Sequence, residues 1–361
     1  MKIGIVTYHR TLNYGAVMQS LATRFVLEEM GHEAYYVDYW PDYHKENYKI
    51  FDFRKFIRSN LKGKIKQLIS IMRDYNSKKK RIENFEKFFQ TYIYPFCRQI
   101  DESFDVVVYG SDQIWRKQKA LGAYNPFYFG DNNIKTEHHI SYAASMGVLP
   151  DNDADKEIVK ELVSHLDEIS VREEGLSELL VSLGYNDVKL SLDPTLLLSS
   201  KDWYKHLPTE PYKGDKYALL YSMGSNAFDM KEVRKFTDSK GMKLIVLRGY
   251  ASTKETETNI TIAGPLEFIR LIKNADYVFS SSFHGLAFSI IFEKQFFASF
   301  MNNSGRAQSL LNIIGEPVRL LSPKSDIPQN FSPVNYENVS KRMIPYRNES
   351  IKYLQGIEKY V

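Results

Sequence analysis

Ser280-Ser281-Ser282-Phe283-His284-Gly285 places three hydroxyls and an imidazole between two apolar runs, Ala275 to Ser280 and Gly285 to Phe292. A strand followed by a helix fits that pattern. The serine hydroxyls, the first amides of the helix and His284 could then all face one anionic group. A histidine side chain can supply or remove a proton near neutral pH. A lone histidine is usually structural. One at a strand end, in a serine-rich turn ahead of a helix, belongs to a site far more often. His284 is therefore the residue expected to carry chemistry, with Ser281, Ser282, Phe283 and Gly285 around whatever it acts on.

Three further polar clusters fall where an apolar strand gives way to a helix. Thr7 to Ala16 includes His9, Asn13 and Gly15. It reads either as a capping turn or as a contact for an anion or a sugar hydroxyl, with His9 close enough to reach the same cleft. Gly110-Ser111-Asp112-Gln113-Ile114-Trp115 follows a strongly apolar strand. Asp112 could cap the next helix, or Ser111 and Asp112 could bind a sugar diol with Trp115 stacked on the ring. Ser170-Val171-Arg172-Glu173-Glu174 brings an arginine off a strand, suited to a two-pronged grip on phosphate or carboxylate. The alternative for Arg172 is a surface salt bridge to Glu173 or Glu174. There is no GxGxxG or GxxxxGKS pattern, so neither a dinucleotide nor a P-loop site is expected. No set of His, Asp and Glu has metal-ligand spacing, and no metal is expected.

The elements that must position these clusters alternate. Lys2 to Tyr8 reads as a buried strand, Val17 to Met30 as a helix closed by Gly31, and Ala34 to Tyr39 as a second strand. A βαβ unit of this kind implies a parallel sheet. Residues 45–90 depart from the alternation and read as inserted, charged helices. Strands resume at Phe104 to Tyr109 and His139 to Ser145, with Glu168 to Val171 also extended. A second series of strands and helices begins at Tyr217. The expected fold is α/β, two Rossmann-like lobes facing a cleft, with residues 1–198 and 199–335 as the lobes and 336–361 as a helical segment packing back. Ligands of open parallel sheets bind beyond the carboxyl ends of the strands, which is where all four clusters lie.

A chain of 361 residues exceeds one ordinary core, in keeping with two lobes. The net charge of +4 is mild, and its one dense basic run, Lys78-Lys79-Lys80-Arg81, sits in a helical stretch. It reads as a solvated helix face, with contact to an anionic membrane surface as the minority reading, and nucleic-acid binding is not expected. The single cysteine, Cys97, makes no intrachain disulfide and reads as a packed thiol. The chain opens on a strand, and no apolar run is long enough for a membrane helix, so a cytoplasmic protein is expected.

Taken together and in order, GIVTYHRTLNYGAVMQSLA, VVVYGSDQIW, ISYAASMG, ISVREEGLSELL, LDPTLLL and ADYVFSSSFHGLAFSIIF resemble the polysaccharide pyruvyl transferase family from residue 4 to about residue 293. The resemblance implies a GT-B-like pair of lobes and an enzyme that takes phosphoenolpyruvate and installs a pyruvate ketal on a sugar of a cell-surface polysaccharide or its lipid-linked precursor. No cofactor is expected beyond phosphoenolpyruvate as donor substrate; the minority reading of the basic run would place the protein peripherally at the inner membrane face. His284 matches the family histidine and Arg172 the arginine of the V-R-E block. Many members carry arginine two residues before the histidine, where this chain has Ser282. Another cation, such as Arg248 or Arg306, would have to serve. The alternatives are a glycosyltransferase using a nucleotide-sugar donor and a non-catalytic sugar-binding subunit of a glycan assembly complex.

Overall fold

The computed structural model describes residues 1–45, 57, 59–212, 214–224, 227–252, 254–302 and 304–360. It is α/β and built on two parallel sheets. The first contains β1 (Lys2–Val6), β2 (Glu33–Val37), β3 (Cys97–Arg98), β4 (Val106–Tyr109) and β5 (His139–Ser141), in the order β3-β2-β1-β4-β5. A parallel pair, β6 (Ile169–Val171) and β7 (Val188–Leu190), continues it through single bridges from Ile140 to Glu168 and from Ala144 to Val171. The second sheet contains β8 (Tyr217–Ser222), β9 (Lys243–Arg248), β10 (Asn259–Ile260), β11 (Tyr277–Ser280) and β12 (Gln295–Ala298), in the order β10-β9-β8-β11-β12. Both orders reverse direction beside their first strand, at β1/β4 and at β8/β11. That reversal opens the crevice in which doubly wound sheets bind ligands.

The apolar strands β4 and β8 are buried along their whole length, as expected of parallel strands covered on both faces. Between them runs α1 (Tyr14–Glu29), a helix with little amphipathic character because nearly all of it is covered. Its N-terminal Tyr14 lies in an aromatic cluster with Phe85 of α3, Phe268 of α8 and Phe288 of α9, where α3 is Leu61–Tyr92, α8 is Pro265–Asn274 and α9 is Phe283–Ile291. One continuous apolar cluster therefore passes from the first sheet to the second. The C-terminal helix α11 (Tyr336–Gln355) returns to the first sheet. Its Arg347 Nε donates to the Leu196 carbonyl, its Ser350 hydroxyl accepts from the Leu192 amide, and its Tyr353 hydroxyl donates to the Ser141 carbonyl.

The inserted stretch is largely helical where it is described. Residues 46–56 and 58 lie outside the described residues; Ile57 is helical, and α3 accounts for Leu61–Tyr92 as one 32-residue helix. Its C-terminal half is amphipathic and buries Phe85, Phe88 and Phe89. The basic run ends by turning inward, so it is not a uniform solvated face. Arg81 is 3% exposed and donates to the Tyr14 hydroxyl and to the carbonyls of Leu12, Arg248, Gly249 and Thr261. This one guanidinium ties α3 to the β1–α1 loop on one side and to the second sheet on the other. Among the described residues no helix is long and apolar enough to cross a membrane.

Candidate functional site

Four strand ends deliver the side chains of the site. Ser111 and Asp112 follow β4, Arg172 and Glu173 follow β6, Asp193 follows β7, and Phe283 and His284 follow β11 at the start of α9. The last member, Arg306, opens α10 (Gly305–Ile314). Asp193 is the centre. Its side chain is 0% exposed, its Oδ1 accepts from the amide and hydroxyl of Thr195 at 3.1 and 2.7 Å, and its Oδ2 faces a guanidinium and an imidazole. Arg172 Nη1 donates to that oxygen, and His284 Nε2 lies 3.4 Å from it. Burial acts to raise the Asp193 carboxyl pKa, but His284 and Arg172 overcome it and hold the group below the usual carboxylate range. Residues 112 positions apart in sequence, Arg172 and His284, are thus joined through one carboxylate.

A second arginine stands beside the first. The guanidinium carbons of Arg172 and Arg306 lie 4.9 and 5.4 Å from the Phe283 ring centroid, within cation–π range. Glu173 Oε1 is 3.8 Å from the Nε of both arginines and accepts the Ser145 hydroxyl. Burial acts to lower the Arg172 pKa, and Asp193, Glu173 and Asp112 more than offset it. Arg306 goes the other way. Burial, reinforced by Arg172, brings it down to about 10, so it is a cation at neutral pH held at a cost. Arg172 Nε and Nη2 and His284 Nε2 are buried with no hydrogen-bond partner among the described residues. Unused buried donors beside two arginines and a helix N-terminus are chemically suited to an anion with several acceptor oxygens. A cavity of about 170 Å³ opens there, lined by Arg172, Asp193, Phe283 and Arg306 among others.

The glycines of the two turns have steric reasons. A Cβ on Gly15 would fall 2.0 Å from His284 Nδ1, and one on Gly285 would fall 2.2 Å from Ser280 Oγ. Gly15 thus lets the imidazole lie against the first turn of α1. Asn13 is the cap of that helix: its Oδ1 accepts from the Gly15 amide at 3.0 Å, so the capping reading describes it. Ser281 is engaged by the second sheet, accepting from the Met223 amide at 3.1 Å. Ser282 precedes α9 without a side-chain cap, and its amide donates to Ser280 Oγ. Ser111 is buried. It donates to the Ala143 carbonyl at 2.8 Å, and its Oγ lies 3.4 Å from Arg172 Nη1.

Four expectations change. No helix follows Asp112, so it caps none. It takes a left-handed φ of 71°, its Oδ1 accepts from the Gln113 amide, and its charge acts on both arginines. Trp115 cannot stack on a sugar, being fully buried, parallel to Phe129 and bonded through Nε1 to the Tyr128 carbonyl. Arg248 does not join the cluster, because its Nε donates to Asn259 at 3.1 Å. His9 does not reach the cleft. It is 1% exposed, stacked on Tyr36 and bonded to the Thr7 carbonyl, and burial drives its pKa down to about 4.

One grouping was invisible in the sequence spacing. Single ligand atoms of His9, Asp38 and Cys97 lie within 4.8 Å of one another. The set fits a metal poorly, since Arg10 Nη1 already holds Asp38 at 2.6 Å and burial pushes the Cys97 thiol up to about 12. Neither Asp193 nor Glu173 stands out in the sequence as a site residue. The available signal for Asp193 was its place in LDPTLLL, an acid at a strand end before a proline.

The family profile described as polysaccharide pyruvyl transferase matches residues 13–304. No curated protein matches the chain. Solved structures similar to it include the UDP-GlcNAc 2-epimerase from Methanocaldococcus jannaschii, at 14% identity, with all of both chains covered and a TM-score of 0.46. The E. coli heptosyltransferase WaaC with ADP matches at 11% identity over 96% of this chain and 100% of its own, with a TM-score of 0.40.

Proposed function

This chain belongs to the polysaccharide pyruvyl transferase family, and we propose that it transfers pyruvate from phosphoenolpyruvate to a sugar of a cell-surface polysaccharide or its lipid-linked precursor, closing a cyclic ketal. The observation that carries the reading is the pair of guanidiniums, Arg172 and Arg306, on one aromatic face beside His284. Phosphoenolpyruvate presents a phosphate and a carboxylate on one carbon. Two adjacent cations match two adjacent anions, and Arg172 brings unused donors to them. In this reading Arg306 supplies the charge that Ser282 lacks.

The reaction balances with the protein's own groups. A proton is added to the donor's methylene carbon, which becomes a methyl group and leaves cationic character at the central carbon. One sugar hydroxyl attacks that carbon and releases its proton. The bond to the phosphate oxygen breaks, and phosphate departs toward the arginines with the second hydroxyl's proton as the neighbouring hydroxyl closes the ketal. His284 is assigned the proton transfers, with Asp193 fixing its ring and stabilising its charged form.

The test is release of inorganic phosphate from phosphoenolpyruvate with a lipid- or pyrophosphate-linked glycan acceptor. His284→Gln keeps a hydrogen-bond donor but cannot shuttle a proton, and is expected to lower the rate by roughly 10²–10⁴-fold while donor binding persists. Arg172→Lys keeps charge but loses the fork, and is expected to weaken donor affinity. A wild-type rate in His284→Gln would remove the assigned role. Release of nucleoside diphosphate from a nucleotide sugar, with none of phosphate, would replace the donor.

A further inference from the structure

The N-terminal half of α3 carries an apolar stripe turned away from the protein. Leu61, Ile65, Leu68, Ile69 and Met72 are 75%, 50%, 44%, 58% and 83% exposed. At about 100° per residue, their spacing of four, three, one and three gathers them in a sector of about 100°. The residues by which α3 is anchored, among them Asp74, Arg81, Phe85 and Phe88, fall on the opposite side of the same helix. The stripe is therefore an outward face, not a badly packed inner one.

Its flanks are basic. Between residues 61 and 82 the helix has eight Lys and Arg residues and one acid, Asp74, which is buried against Arg73. Lys62, Arg73 and Lys80 line one edge of the stripe, Lys64 the other, and Lys79 continues its line. An apolar stripe edged by long cationic side chains is the pattern of a helix lying in a membrane interface, with apolar groups below the headgroups and ammonium groups among anionic ones. A second copy of this chain would bring the same positive flanks against each other.

We propose that this stripe docks α3 onto an anionic lipid bilayer. The charge pattern selects the partner: the body of the protein has mixed charge and a net +4, whereas this half-helix is almost purely cationic. Arg81 on the same helix holds the junction of the two sheets. The bilayer would thus stand roughly 20 Å along the helix from that junction.

Co-sedimentation of the full chain with vesicles tests this. Vesicles of phosphatidylcholine with phosphatidylglycerol are expected to carry the protein down, vesicles of phosphatidylcholine alone are not, and added salt should weaken capture. The variant Ile65→Gln/Ile69→Gln/Met72→Gln keeps the charge and a good helix-forming residue at each position. It should partition at least roughly tenfold less while keeping the wild-type melting temperature. Equal capture by both vesicle types, or equal capture of wild type and variant, would overturn the proposal. So would a lipid-free wild-type dimer that the same variant dissociates in sedimentation equilibrium, which would assign the stripe to a second copy.

Discussion

Asp193→Asn removes one charge and almost no volume, and the surroundings dictate how the new amide must sit. Two donors from Thr195 fix an acceptor at the Oδ1 position, so the amide nitrogen takes the place of Oδ2. There it meets Arg172 Nη1, donor against donor, with His284 Nε2 beside it, in a place where the partner side chains are 4% and 8% exposed. Removing one member of a buried ion pair costs about 3–5 kcal/mol, because the other charge stays buried without compensation. At roughly 2–4 °C per kcal/mol for a domain near the size of the first lobe, the melting temperature should fall by about 10 °C. Phosphate release from phosphoenolpyruvate should fall by about 10²–10⁴-fold, since His284 loses both its orienting contact and the charge that stabilises its protonated form. The sign with pH comes from the depressed carboxyl. Its contribution is fully present above the unfolded value near pH 4 and is lost as pH falls through the lower folded value. The gap between wild type and variant should therefore hold from pH 8 to about 5 and close only in stronger acid. Arg172→Met added to Asp193→Asn should restore part of the lost stability, because no buried guanidinium is then left unpaired. A variant melting within about 1 °C of wild type at pH 7 would refute the buried triad of Arg172, Asp193 and His284.

Gly15→Ala tests the packing of His284 without touching a charge. Alanine favours the helix, yet its methyl would stand 2.0 Å from Nδ1, so the ring must leave Asp193. Phosphate release should drop about 100-fold with a stability loss of only about 1–3 kcal/mol, measured together by the phosphate assay and thermal melting. His9 binds its proton at about 4 in the folded chain against 6.5 when unfolded, so the unfolded state is the one favoured by acid in that window. Stability should fall by about 3 kcal/mol from this group as pH drops from 7 to 4, and His9→Asn should flatten the thermal-melting profile over that range.

The order of strands and helices could be read from the chain because β1, β4, β8 and β11 are dense apolar runs with polar residues at their carboxyl ends. That grammar belongs to parallel sheets and owes nothing to distant contacts. β3 and β10 are two residues each and carry no period, so only their neighbours make them strands. The same difference separates the site residues. His284 and Arg172 announce themselves by type and position at a strand end. Asp193 acquires its role only when two other strand ends deliver a guanidinium and an imidazole to its Oδ2, a convergence with no local signature. Trp115 departs in the opposite direction. Its type suggested a sugar platform, but Phe129 and the Tyr128 carbonyl, placed by the fold, occupy its face and its nitrogen. The choice between Arg248 and Arg306 shows why a missing charge cannot be replaced by counting cations. Both lie in the second half of the chain, and both are arginines. Arg248 ends β9, on the far side of β8 from β11, and Asn259 of its neighbour β10 holds its guanidinium. Arg306 opens the helix after β12, the strand next to β11, and so stands over Phe283 one residue from His284. Strand order, which decides which loops are neighbours, is what makes one arginine able to stand in at Ser282 and leaves the other outside.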